Sequence, residues 1–523
     1  MNSRAWVARL LLAVGLAIAL SYTTSHVDLT APNERSRLYL TVALFEQRSF
    51  VIDTARNQFG AVFDEATFGG HYFTDKAPGA SLLALLPYAV VRLFVDGQHV
   101  TLPLLLGIGR YAVMVPLGIV AFFAFESLCT GLGLGRPATR FAALSYLLAT
   151  PAFHYSAAFF GHQIVGTTLL LALLLIVKQR SLSTKAAGMA LVSAGVLAGV
   201  AGLTEYQALL GVLGLCATVV TLSEGRRIRA FSYFALGGLP CALFLAYYHR
   251  ACFGGPFELS YHHLSHLDLA EVHRQGLGGV SVPSLAGLTG SLFSLHRGLF
   301  ATSPHLLLSF YGVWCWSRRG HAALAHCIAA TALGYCVFVA ASATWEAGWG
   351  YGPRLLVPVL PMLSLFVAAA LDDALRSSNR RQAILLSGLV WSALLVSVMS
   401  FQVITALFPE PPVELQNPWL DVVLPLASSG VVAPNLGARV FGLTGLVSLL
   451  PLAMVLFAMF GSTLVETWRS WRSSAWGLLL PIIPALVCVL VEVQGPSGTP
   501  KERADFVGFA RLLYSSQFSS VAR

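Results

Sequence analysis

Between Gln163 and Lys178 the chain reads QIVGTTLLLALLLIVK, then turns through a short basic stretch bearing Lys178, Arg180 and Lys185. It runs on from Ala186 to Leu203 as AAGMALVSAGVLAGVAGL. Two apolar runs joined by a positive turn read as a pair of bilayer spans with the turn in the cytoplasm. Outward from this pair, comparable runs lie near 5–22, 79–95, 104–128, 141–156, 206–222, 230–249, 304–316, 321–343, 355–372, 383–407, 438–461 and 474–493. Composition agrees: 56% of the 523 residues are hydrophobic and 11% charged, against about 25% charged in an average soluble domain. Mean hydropathy is +0.71. The fold class is an all-α polytopic membrane protein, which excludes a disordered, collagenous or disulfide-rich secreted chain.

The net charge of +9 comes from 33 Lys and Arg against 24 Asp and Glu. Its position decides its meaning, because cytoplasmic turns of membrane proteins collect Arg and Lys. The clusters are Arg136/Arg140, Lys178/Arg180/Lys185, Arg226/Arg227/Arg229, Arg318/Arg319, Arg376/Arg380/Arg381 and Arg469/Arg472, each separated from the next by two apolar segments. All six therefore fit one side, and nucleic-acid binding falls away. For Arg4 to join them, one of the three segments before Arg136 must not cross. Segment 79–95 is the shortest, opens after Pro78 and carries Arg92, so it is expected to lie at the outer face. About 13 transmembrane helices remain, with the N-terminus cytoplasmic. The first run, after Arg4, resembles a signal peptide without an A-x-A site and reads as an uncleaved helix. The eight cysteines stand singly in or beside apolar segments and read as small hydrophobes.

This topology places 23–103, 250–303, 344–354, 408–437 and the tail 494–523 outside, against short basic turns inside. Residues 1–493 then form one transmembrane domain followed by a short outer tail. A chain whose long, chemically varied loops share one face works on that face. The first of these loops is the richest. It reads APNERSRLYLTVALFEQRSFVID from Ala31 to Asp53 and FGGHYFTDKAPGASLLALLPY from Phe68 to Tyr88. Asn33 is a candidate N-cap, and Leu38, Val42 and Leu44-Phe45 form a stripe at helical spacing. Residues 34–47 are thus expected to be a juxtamembrane helix on the membrane surface. Its start gathers Glu34, Arg35 and Arg37, and the second piece brings Asp75 and Lys76 to the same level. Carboxylates and cations beside a bilayer suit transfer from a lipid-phosphate donor: an acid takes the acceptor's proton, and Lys or Arg steadies the departing phosphate. The bland alternative is a solvated loop that anchors at headgroup level.

At these residues the sequence resembles the GT-C glycosyltransferases, in particular the branch of protein O-mannosyltransferases and lipid A aminoarabinose transferases (glycosyltransferase family 39). That branch carries an acidic pair followed by x-R-Y after its first span, then an aromatic-acid-Lys-Pro element. Pro32-Asn33-Glu34 with Arg37 and Tyr39 resembles the first, and Phe73-Thr74-Asp75-Lys76-Ala77-Pro78 the second. Asn33 stands where an Asp is expected, one extra residue precedes Arg37, and Ala77 intervenes before Pro78. The likeness covers residues 1–130; Gly352-Pro353-Arg354 echoes a G-x-R before a late span in related bacterial membrane proteins. The resemblance implies an inverting transfer of a hexose or pentose from a polyprenyl-phosphate donor to an envelope lipid, glycan or protein, at the periplasmic face of a bacterial inner membrane. It implies Glu34 or Asp75 as base, with a divalent metal held by either as an option. Arg37 and Lys76 would contact the donor phosphate. Arg354, an outer-face arginine that runs against the positive-inside trend, reads either as a further phosphate ligand or as an ion pair with Glu346, and Asn33, Tyr39, Arg110 and Arg297 are supporting candidates.

Other residues have plainer readings. Trp345, Trp349 and Tyr351 fit an interfacial aromatic belt, and Glu205 a structural ion pair near a span end. His262, His263, His266, Asp268 and His273 match no standard metal spacing and read as a polar acceptor-side loop. No P-loop, H-E-x-x-H or G-x-S-x-G is present, and no Rossmann-like domain for a nucleotide sugar. The alternative is a secondary transporter or flippase for a lipid-linked or anionic substrate, whose polar groups belong near mid-membrane on broken helices in repeated halves.

Overall fold

The computed structural model describes residues 3–23, 32–377, 379–470, 495 and 497–521. Among them are α1 (Ser3–Ser21), α2 (Pro32–Glu46), α3 (Asp53–Phe59), the antiparallel strands β1 (Glu65–Phe68) and β2 (His71–Thr74), and α4 (Gly79–Arg92). The apolar bundle follows: α5 (Leu102–Gly131), α6 (Arg136–Leu148), α7 (Gly161–Ser181), α8 (Thr184–Thr204), α9 (Ala208–Leu222) and α10 (Arg227–Phe253). It continues with α11 (Leu308–Trp316), α12 (Ala322–Ala341), α13 (Arg354–Arg376), α14 (Arg380–Leu407) and α15 (Gly445–Thr467), and α16 (Pro500–Val521) closes it.

Eight helical stretches of the described residues are long and apolar enough to span a bilayer, and four shorter apolar helices accompany them. One of the eight, Pro304–Ala341, is broken at Arg319 and Gly320, where Gly320 takes φ +84°. The expected segment 141–156 is a helix of only 13 residues, α6, about 20 Å long at 1.5 Å per residue. Segment 474–493 lies outside the described residues. α4, with 14 residues, falls short of a hydrocarbon core of about 30 Å.

The bundle centre is α13 and α7, enclosed almost throughout, while α10 and α15 turn most of their surface outward. Glycine sets the closest crossing. A Cβ on Gly195 of α8 would stand 1.9 Å from the Phe234 carbonyl oxygen of α10, and one on Gly237 2.0 Å from that of Val192. Small residues let backbones approach where water supplies no hydrophobic drive.

The two ends of the bundle differ in chemistry. At one, Arg319 bridges Asp372 and Asp373, Arg376 pairs with Asp372 at 2.8 Å, and Asp372 accepts the Gly135 N–H. Three of the basic turns, those of Arg136, Arg319 and Arg376, meet there. At the other end gather α2, the hairpin and the long loops. Ser260 bonds the Asp75 carbonyl, Gly350 N–H the Pro411 carbonyl, and Tyr514 the Leu407 carbonyl.

Candidate active site

The hairpin is short, and its fixity comes from neighbours. Arg56 grips Glu65 at 2.9 and 3.2 Å, and the Leu264 region pairs with Ala66 as a third, bridging segment. At the far end of β2, Thr74 Oγ1 meets Ser36 Oγ of α2 at 2.6 Å and accepts the Lys76 N–H at 3.2 Å. Pro78 then opens α4, whose Ser81 hydroxyl donates to the Arg37 carbonyl at 2.7 Å. Asp75 and Lys76 are thereby clamped between α2, α4 and Ser260. α2 is not the surface helix that its stripe suggested: Asn33, Glu34, Ser36, Arg37 and Tyr39 are buried along with Leu38 and Val42, and Phe45 is exposed. Polar side chains in that helix find partners in other elements, which periodicity cannot reveal.

Three ion pairs result. Glu34 is fully buried; both its oxygens take the Arg110 guanidinium, at 3.0 and 2.5 Å, and Oε1 also accepts the Phe159 N–H at 2.5 Å. Arg110 lies in a π-helical stretch of α5, Ile108–Met114, whose widened turn aims it inward. Arg37, also fully buried, donates to Glu205 Oε1 at 2.5 Å, to Asn33 Oδ1 at 2.9 Å and to the Thr204 carbonyl. Burial alone would raise the Glu205 carboxyl's pKa, but the Arg37 guanidinium, with His162, Lys76 and Arg354, holds it below the usual range. Lys76 Nζ sits between two acids, 2.8 Å from Asp75 Oδ2 and 3.0 Å from Asp64 Oδ2. Asp75 Oδ1 is buried and has no hydrogen-bond partner. Burial and the neighbouring Asp64 push the Asp75 carboxyl up to about 6 against the pull of Lys76 and Arg37.

A second wall is built by 152–160, 294–298, 347–354 and 410. Tyr155 contacts the rings of His154, Phe160 and His162, and Arg354 and Arg297 lie close enough to act on its hydroxyl. Arg354 lies 5.4 Å over the Phe160 ring, and its Nε is buried without a hydrogen bond. Arg297 donates to the Gly348 and Gly350 carbonyls. Among the described residues neither arginine is in contact with a carboxylate, and burial lowers the Arg297 guanidinium's pKa to about 10 against the pull of Tyr155, Glu346 and Glu414. His154 Nε2 lies 3.3 Å from Glu410. One wall thus places two acids on a single ammonium, and the other holds two guanidiniums with no carboxylate in contact among the described residues, Glu205 acting on Arg354 and Glu346 and Glu414 on Arg297 only from a distance.

No protein-family model and no curated protein matches the sequence. Among solved structures, ArnT from Cupriavidus metallidurans, bound to undecaprenyl phosphate, superposes with a TM-score of 0.52 over 93% of this chain and 77% of that one, at 16% identity. The chain has the GT-C fold. Lower scores are found with AglB of Archaeoglobus fulgidus (0.46, 10% identity, 78% of this chain and 56% of that) and EmbB of Mycobacterium smegmatis (0.44, 13%, 98% and 43%).

Within this GT-C fold the expected site residues part company. Asp75 and Lys76 stay together and near Tyr261, with Arg37 also close to Asp75. Arg37, expected at the donor phosphate, faces Glu205 instead, and Asn33 supports it. Tyr39 accepts from Arg35 at 2.8 Å and donates to the Gly60 carbonyl at 3.0 Å, a brace for the loop after α3. Glu34 and Asp75 do not converge as metal ligands: Arg110 occupies the oxygens of one, and Lys76 stands between Asp75 and Asp64, where a divalent ion would sit. These residues do not fit a divalent ion, and among the described residues no group of three His, Cys, Asp or Glu has the geometry for one. His262 and His263 instead share Glu258 at 3.0 and 3.1 Å, and His266 stacks on Phe63. Tyr351 is buried against Phe401 and does not join the expected belt. Sequence reading passed over Asp64, His154, Tyr155 and Glu410. Asp64 lies in a turn with no periodic signal, and the others gain meaning only from residues far along the chain.

Proposed function

We propose that this chain moves a sugar from a polyprenyl-phosphate donor to a hydroxyl of an envelope lipid, glycan or protein, with inversion, on the non-cytoplasmic side of a bacterial inner membrane. Residues 1–493 would form the catalytic membrane domain and 494–523 an outer tail against it. The observation that carries this reading is the split between the walls: a buried, unpartnered oxygen on Asp75 on one, and Arg354 and Arg297 without a contacting carboxylate on the other. Ionisable residues gather at the ends of the bundle, those of the site at one of them, which favours a transferase over a transporter with mid-membrane sites.

In the proposed step the acceptor oxygen bonds to the anomeric carbon while Asp75 Oδ1 takes its proton. The bond from that carbon to the phosphate oxygen breaks, and its electron pair leaves with the phosphate. A singly charged diester thereby becomes a monoester with a second developing charge. Arg354, with Arg297 behind it, meets that charge without having to leave a carboxylate. Lys76 supports the donor side while holding Asp75. ArnT, which shares the fold, was solved with undecaprenyl phosphate, a ligand of the class this arrangement suits.

The test uses purified protein in liposomes with a panel of polyprenyl-phosphate hexoses and pentoses and crude envelope acceptors, following release of free polyprenyl phosphate. Asp75→Asn is expected to lower turnover by about 10²–10⁴-fold, and Arg354→Ala by about 10²–10³-fold. Wild-type rates in both variants would reject the site assignment. No release from any donor would move the weight to transport, read by flux.

A further inference from the structure

Asp64 belongs to neither motif of the first loop, yet the fold delivers its carboxylate to Lys76. It sits between α3 and β1, with Phe63 stacked on His266 at 4.2 Å on one side and Glu65 locked to Arg56 on the other. The turn is therefore fixed, and its 3.0 Å approach to Lys76 Nζ is built in. One ammonium then serves two carboxylates. The unpartnered oxygen falls on Asp75, whose side chain is 1% exposed, while the Asp64 side chain is 13% exposed and reaches solvent.

We propose that Asp64 is a positioning residue for the transfer: it draws Lys76 partly off Asp75, so that Asp75 keeps an oxygen with base strength to spare. The inference rests on the transferase reading above. Without Asp64 the ammonium belongs to Asp75 alone, and a carboxylate fully paired with a cation is a poor proton acceptor. The charged and titratable groups facing Asp75 are Lys76 and Asp64 from its own loop, Arg37 from α2, Tyr206 beyond α8, Tyr248 from α10 and Tyr261 after it. Lys76 and Arg37 favour the deprotonated carboxyl; Asp64 opposes them directly, and Glu205 draws on Arg37 from the other side. Burial first, and Asp64 beside it, hold the Asp75 carboxyl above its ordinary value despite two cations nearby.

The experiment measures pH–rate profiles of wild type, Asp64→Asn, Asp64→Glu, Lys76→Gln and the double variant Asp64→Asn/Lys76→Gln in liposomes, with the donor that wild type turns over. Asp64→Asn is expected to lower kcat at least about tenfold and to move the acid limb of kcat/KM down by about one pH unit, with donor KM changed less than about threefold. Asp64→Glu is expected to restore most of the rate. The double variant is expected to be no slower than Lys76→Gln alone, because Asp64 acts through Lys76. Asp64→Ser reads the same shift if Asp64→Asn does not purify as a monodisperse protein. An unmoved acid limb, a rise in KM alone, or additive losses in the double variant overturns the inference while wild-type turnover leaves the transferase reading standing. No turnover by wild type with any donor overturns that reading, and this inference with it.

Discussion

Arg110 and Glu34 meet out of water, with a third hydrogen bond from the Phe159 N–H closing the carboxylate. Removing one partner of such a pair leaves a buried charge alone and costs about 3–5 kcal/mol. Arg110→Met is therefore expected to lower the denaturation midpoint strongly, a loss that Glu34→Gln in the same chain partly recovers; equal midpoints in wild type and Arg110→Met would show the pair to be idle. Asp75 behaves differently. A base works as the carboxylate, so kcat/KM is expected to be flat above its pKa and to fall about tenfold per unit of pH below about 6. A profile flat down to pH 4.5 would remove Asp75 from the role. The D-K-A-P-G stretch was legible because neighbours in sequence stayed neighbours in space. Glu34 stood out as a candidate base and Arg110 as a supporting cation, but 76 residues separate them, and no local pattern shows that they neutralise each other. The Arg37–Glu205 pair was hidden for the same reason: both residues were noticed, but not their meeting.

At the scale of elements, the crossing of α8 and α10 depends on glycine at the point of contact. Gly195→Val would force the Phe234 backbone away and is expected to cost about 1–3 kcal/mol or more and to lower the yield of folded protein. Gly202→Val, where a Cβ meets nothing within 4 Å, is the matched control; equal thermal midpoints for the two would show the crossing to be loose. Apolar runs and basic turns made most helices of the bundle readable. α2 was not, because its stripe of Leu38 and Val42 is real but its polar face is buried too. α6 was overestimated: residues 141–156 are apolar throughout, yet Pro151 follows a helix that ends at Leu148, and hydropathy alone does not register the break.

At the scale of the whole molecule, segregated chemistry at the two ends predicts an orientation. By the bias of basic turns toward the cytoplasm, Arg136, Arg319 and Arg376 lie inside and the hairpin outside. Thr67→Cys is expected to react with an impermeant maleimide on intact cells, and Ser181→Cys only after permeabilisation; the reverse pattern would invert the site's side. The pairings across the chain also set an order of assembly. Arg37 leaves the ribosome 168 residues before Glu205, and Ser260 follows Asp75 by 185. At about 5–20 residues per second the first loop waits roughly 10–30 s for the groups that neutralise and clamp it. Until then Arg37 must stay in water at the membrane surface, so the loop carrying Asp75 and Lys76 is among the first segments delivered and among the last to be sealed.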